Sequence, residues 1–107
     1  MTSAKLPLEV STATRGSWRV ADVRGDLDMA TAPHLEQACA VEDGRLALDM
    51  SGVRFIDSSG LRALFEINKT SSRLVLLRSS AVVKRLLSLT EMTDVFEMSD
   101  DLPDLDS

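Results

Sequence analysis

Four small polar residues in a row, Asp57-Ser58-Ser59-Gly60, are the part of this 107-residue chain whose side chains could do chemistry. The apolar run Leu46-Ala47-Leu48-Asp49-Met50 lies before them, with Gly52-Val53-Arg54-Phe55-Ile56 between. After them Leu61, Leu64, Phe65 and Asn68 recur at helical spacing, with Ala63 and Ile67 beside them. The pattern predicts a strand, a short connection and a helix, with the serines at the helix entrance. Hydroxyl and carboxylate groups there can accept hydrogen bonds from the first unpaired backbone N–H groups. A phosphoryl group on a serine at that place would sit in the positive field of the helix start. Three uses are open to these residues: a serine nucleophile, a phosphoryl-accepting serine, or a helix cap with no chemistry at all.

The nucleophile fails first. Ser58 or Ser59 would need a base within hydrogen-bond reach, usually a histidine held by a carboxylate. His34 is the single histidine, and it falls off the apolar stripe of its predicted helix, as a plain surface residue would. The strand-to-helix turn superficially resembles a nucleophile elbow, Gly-x-Ser-x-Gly, but Ile56 stands where the first glycine belongs. There is no Gly-rich phosphate loop and no metal-ligand spacing. No catalysis, cofactor or metal is expected.

The elements that must position the serines follow from periodicity and turn residues. A first strand begins near Leu8 and runs to Ala13; Arg15-Gly16-Ser17 turns the chain, and Ser17 to Arg24 forms a second strand that Gly25 ends. Trp18 and Val20 face one way while Ala21 and Val23 face the other, so either both faces are covered or a bulge shifts the register. Asp26-Leu27-Asp28 leads into a helix from Thr31 to Val41, with Thr31 as N-cap and Ala32, Leu35, Ala38 and Cys39 inward. Glu42-Asp43-Gly44 closes it, and Arg45 to Met50 forms a third strand, parallel to the second across the helical crossover. The second helix, beginning after Ser59, ends near Asn68–Ser72; Arg73–Leu77 is a short central strand. Ser79 or Ser80 caps a third helix with Val82, Val83, Leu86, Leu87 and Leu89 on its core side. Val95-Phe96 adds a last short strand or docks on the edge. The expected fold is α/β, one mixed sheet with an N-terminal hairpin and helices packed on it, and no internal repeat.

Length and composition bound the rest. One domain spans residues 1–107, with a core over about 8–96 and an acidic tail at 97–107. Apolar residues are 44% and charged residues 27%, ordinary for a globular chain. The net charge of −5 is uneven: Glu91 to Ser107 holds seven acidic residues and no basic one, leaving 12 basic and 10 acidic groups in the body. A near-neutral body suits contact with another protein. Without a basic stripe or any tyrosine, nucleic acid is not an expected partner. No apolar run approaches the roughly 20 residues that cross a bilayer, so no membrane insertion is expected. The N-terminus shows no apolar signal core, and the lone Cys39, read as a small core residue, has no internal disulfide partner; both agree with the cytoplasm. A monomer is the default.

The order of three motifs carries a resemblance. Asp57-Ser58-Ser59-Gly60-Leu61, after Val53-Arg54-Phe55-Ile56, resembles the signature of STAS domains, in particular the bacterial anti-sigma factor antagonists. Gly25-Asp26-Leu27-Asp28-x-x-Thr31-Ala32 resembles that family's Gly-[Glu/Asp]-Leu-Asp stretch opening the first helix. Val82-Val83-Lys84-Arg85-Leu86-Leu87 resembles its last main helix. The match covers about Leu8 to Phe96. It departs in a shorter second helix, in Ser80-Ala81 where Ser-Pro is usual, and in Glu91 where a glycine often stands.

The resemblance implies partner switching. An anti-sigma factor that is itself a serine kinase binds either a sigma factor or the unphosphorylated antagonist. Phosphorylation of the antagonist releases it, and a phosphatase restores it. The acceptor maps onto Ser58, with Ser59 as the alternative. Asp26, Asp28, Thr31, Asp57, Ser58, Ser59, Gly60 and Arg62 form the implied partner-facing set. The rival reading within the family is an adaptor that docks on a partner ATPase, such as a lipid-transport subunit, without phosphorylation.

Overall fold

The alternating residues after Pro7 fold into a hairpin in the computed structural model, which describes residues 7–40 and 44–103. Strand β1 spans Leu8–Arg15 and β2 spans Trp18–Leu27, antiparallel, with Arg15 opposite Trp18 across the turn. The second strand does not stop at Gly25, as its glycine suggested. Gly25 adopts a φ of +112°, and a Cβ there would lie 2.2 Å from the carbonyl oxygen of Pro7. That oxygen accepts a hydrogen bond from the Asp26 N–H at 2.7 Å. The glycine carries β2 through a bulge rather than ending it.

The remaining elements alternate. Helix α1 is Ala32–Ala38, β3 is Arg45–Ile56, and α2 is Ser58–Thr70. Strand β4 is Arg73–Leu77, α3 is Ala81–Leu89, and β5 is Glu97–Ser99. The five strands lie in chain order, and every pairing after the hairpin is parallel. Helix α1 ends three residues before Val41, which with Glu42 and Asp43 lies outside the described residues. Strand β3 continues past Met50 to Ile56, because Gly52, Val53 and Phe55 still pair with β2. Val95-Phe96 precedes the last strand instead of forming it. Phe96 is buried with its ring 5.3 Å from that of Phe65, and β5 comes from the start of the acidic stretch.

Both faces of the sheet are covered, and the register also shifts at two points of β2 against β3; the imperfect alternation has both causes. On one face Ala21, Val23, Leu46, Leu48, Met50, Leu74 and Leu76 meet the inward stripes of all three helices. Those stripes are Leu35 and Cys39, then Leu61, Leu64 and Ile67, then Val83 and Leu87. Burial pushes the Cys39 thiol up to about 11, which keeps it a neutral packing group at physiological pH. On the other face Trp18, Ala47, Val75 and Leu77 form a smaller cluster covered by Val20 and Leu102. The Arg45 and Arg73 guanidinium groups lie 5.9 and 5.4 Å from the centre of the Trp18 ring, and Trp18 is fully buried. Arg73 also reaches Glu97 at 2.6 Å, tying β4 to β5.

On the same helix-free face Asp49 accepts hydrogen bonds from Arg78 and from the N–H and hydroxyl of Ser51. Burial raises the pKa of this carboxyl, but those donors stabilise its charged form more and hold it below the ordinary value.

Helix α3 presents a narrower apolar face than its composition suggests: Val83 and Leu87 are buried, whereas Val82 and Leu89 are exposed. Ser80 is its N-cap residue but makes no side-chain cap. Its C-terminus closes with the Met92 N–H on the Leu87 carbonyl at 2.7 Å and the Glu91 N–H on Ser88 at 3.1 Å. These are the two bonds of a Schellman closure, which needs a left-handed residue, and Glu91 supplies it at φ +59°. A side chain in that conformation costs roughly 1 kcal/mol relative to glycine. Glu91→Gly is expected to raise the unfolding free energy by about 0.5–1 kcal/mol, read as a higher urea midpoint at unchanged slope.

Candidate partner-binding site

Parallel β2 and β3 finish together, Leu27 opposite Ile56, so the chain segments that follow them emerge side by side. The Asp57 N–H donates to the Leu27 carbonyl at 3.3 Å and extends this pairing by one residue. Asp57 then turns the chain into α2. Its extended backbone (φ −125°, ψ −168°) and its Oδ1, accepting from Ser59 N–H at 2.9 Å and Gly60 N–H at 3.2 Å, make it the N-cap. Its carbonyl accepts from Leu61 N–H at 3.0 Å. The aspartate does the capping, and the serines are released from it.

Gly60 makes the junction close. It is buried, and a Cβ on it would lie 2.7 Å from the Leu27 oxygen and 2.8 Å from carbons of Ile56 and Leu27. With Gly60, Leu61 and Leu64 turned to the sheet, the helical period turns Ser58 and Arg62 outward. Ser58 is the first residue of α2, exposed, and its hydroxyl makes no hydrogen bond among the described residues. Ser59 is half-buried.

A second braced turn stands next to the first. Asp28 Oδ1 accepts from the Ala30 N–H at 3.0 Å and the Thr31 N–H at 3.1 Å. The Thr31 hydroxyl donates to the Asp26 carbonyl at 2.8 Å and accepts from the Asp28 N–H at 2.9 Å. Thr31 therefore does not cap α1 with its side chain, as its position had suggested; it is buried and holds the turn shut. Asp26 lies 3.6 Å from Arg54, the arginine largely solvated and the aspartate half-buried, a pair of little energetic weight.

The structure thus sorts the expected set. Ser58 and Arg62 are open; Asp26, Asp28, Asp57 and Ser59 are half-buried; Thr31 and Gly60 are buried and shape the surface from beneath. Two residues were not foreseen. Met29, at the tip of the Asp28–Thr31 turn, is 77% exposed, and Phe55, paired with Asp26 at the end of β3, is 48% exposed. An apolar residue inside an Asp-x-x-Thr turn was the available signal for Met29; alternation puts Phe55 in step with buried Val53 and gave none, and the pairing with β2 is irregular between those two residues.

A family model of the STAS domain matches residues 9–105. The chain belongs to the STAS domain family. Over 101 residues it is 27% identical to the anti-sigma-B factor antagonist of Staphylococcus aureus (strain NCTC 8325 / PS 47), a match spanning 87% of this chain and 94% of that one. The crystal structure of an anti-sigma factor antagonist from Mycobacterium paratuberculosis superposes with a TM-score of 0.75 at 29% identity, covering 92% of this chain and 90% of the other. The anti-sigma factor antagonist SpoIIAA in its unphosphorylated form shares the fold at a TM-score of 0.62 and 17% identity, over 84% and 87%. The mixed five-stranded sheet with three helices is the STAS architecture of these proteins. No helix among the described residues is long and apolar enough to cross a membrane.

The two features that set the helix start differ in cost. Asp57→Ala should lower stability by about 1 kcal/mol, the usual loss of an N-cap. Gly60→Ala should cost about 1–3 kcal/mol, because the methyl would meet a carbonyl oxygen that cannot swing aside. Urea unfolding of the two variants checks both values.

Proposed function

We propose that this STAS domain is an anti-sigma factor antagonist: unphosphorylated, it binds a kinase-type anti-sigma factor in the cytoplasm as a monomer and so frees a sigma factor. Phosphorylation of Ser58 switches that binding off. The observation that carries the reading is the Ser58 hydroxyl, exposed and unbonded at the head of α2, in a chain whose relatives are anti-sigma factor antagonists. The protein acts by binding, not by catalysis.

In the proposed modification Ser58 Oγ attacks the γ-phosphorus of ATP held by the kinase. The Oγ–P bond forms as the P–O bond to ADP breaks, and the hydroxyl proton passes to a base on the kinase. A phosphatase reverses it by hydrolysis to serine and inorganic phosphate. The product carries about −1.5 to −2 charges next to Asp57, Asp26 and Asp28. The fold bears this charge because the group points to solvent at a helix N-terminus. A covered interface does not bear it: an uncompensated charge there costs roughly 3–5 kcal/mol, over a hundredfold in affinity.

The surface that docks is Ser58 and Arg62 with Met29 and Phe55 as apolar anchors and Asp26, Asp28 and Ser59 around them. Asp57, Thr31 and Gly60 keep it in shape. Ser59, half-buried, is the lesser acceptor.

Incubation with ATP and a kinase-type anti-sigma factor encoded beside this chain is expected to add one phosphoryl group by intact mass, and none to Ser58→Ala. Titration calorimetry should find Ser58→Ala bound to the anti-sigma factor and Ser58→Asp weakened at least tenfold; equal affinities would overturn the switch. Absence of phosphate uptake together with tight binding to a transport ATPase would assign the adaptor role instead. In the same assay Met29→Ser and Phe55→Ser should each lose about tenfold in affinity at unchanged melting temperature, in line with exposed anchors that contribute little to the fold.

A further inference from the structure

The outer face of α2 carries Ser58, Arg62 and Glu66 at intervals of four, so each neighbours the next one turn along. Glu66 is taken by Lys69 at 3.4 Å. Arg54, the other cation of this edge, is taken by Asp26 at 3.6 Å. Arg62 is exposed and makes no hydrogen bond or ion pair among the described residues. The three amides that follow Ser58 at the helix start are engaged: those of Ser59 and Gly60 by the Asp57 carboxylate, that of Leu61 by the Asp57 carbonyl. A phosphoryl group on Ser58 therefore meets three occupied amides beyond its own residue and one unengaged guanidinium a turn away.

We infer that Arg62 is the intramolecular partner of phosphorylated Ser58, closing on the phosphoryl oxygens along the outside of α2. The inference rests on the proposed phosphorylation of Ser58. An anion placed four residues before a cation is the favourable order along a helix, and it also follows the helix dipole. The planar guanidinium can give two parallel N–H bonds to one phosphoryl group, which a lysine cannot. Modification then does two things at once. It adds negative charge at the docking surface, and it withdraws from that surface the cation left free in the unmodified form.

The test installs phosphoserine at position 58 during translation, so that no kinase is needed, in the full chain and in its Arg62→Gln and Arg62→Lys variants. At one fixed pH, the Arg62 side-chain Nε–H signal of the phosphorylated full chain should shift and exchange more slowly with water than in the unmodified chain. A non-specific phosphatase should hydrolyse the Arg62→Gln phosphoprotein about two- to fivefold faster than the unsubstituted one, the range of a surface charge pair, with Arg62→Lys between them. An unmoved Arg62 signal, or equal hydrolysis rates in all three, overturns the pairing. The two readings fail separately. A shifted Arg62 signal with no kinase ever charging Ser58 leaves the pairing and removes the switch; kinase charging with an unmoved signal does the reverse.

Discussion

The first turn of α2 lies against the paired ends of β2 and β3 at a separation that leaves no room for a side chain on Gly60. That contact is the constraint from which the exposed edge around Ser58 follows. A helix seated so closely is fixed in rotation as well as position, because Leu61, Leu64 and Ile67 must fill the space above Leu46, Leu48 and Met50. Once those residues point inward, positions 58 and 62 have only one direction left. The exposure of Ser58 is thus a consequence of packing two residues to either side of it, at Ile56 and Gly60, and the Asp57 cap holds the same turn from its open end.

The acidic residues of this edge have a different role from the one their charge suggests. Asp28 and Asp57 each fold back to accept two backbone N–H groups of the residues that follow. Both turns are therefore stiff, and their carboxylates are oriented by the backbone before any partner arrives. The exposed groups on and near these turns are mixed: the Ser58 hydroxyl, the Arg62 guanidinium, the Met29 thioether and the Phe55 ring. Under the proposed function, a partner covers this surface while Ser58 is unmodified, and a single phosphoryl group there would alter its charge.

Stability is lodged elsewhere. All three helices pack on one face of the sheet, and the other face is closed by the Trp18 cluster, its two arginines and the Asp49–Arg78 and Arg73–Glu97 pairs. None of these groups belongs to the Ser58 edge. An edge can carry unpaired polar groups and exposed apolar ones where the rest of the domain supplies the folding energy.

Order and type of the elements were legible in the residues alone, since period-two and helical spacings, turn residues and the three ordered motifs all point the same way. So was the string Asp57–Gly60 as the place to look. The limits of β2 and β3 were not legible. Gly25 reads as a stop by local preference, yet it serves as a bulge because the Pro7 carbonyl comes within reach, a contact between residues eighteen apart. The same holds for Thr31, a cap by position but a buried brace by partner, and for Val82 and Leu89, apolar by type but left in solvent beside the narrow buried face of Val83 and Leu87. Local sequence determines which conformations a segment prefers and which face of it is apolar. Which donor finds which acceptor, how deep each face lies, and therefore which polar residue brace the fold and which is left free, depend on distances between segments that exist only once the sheet has formed.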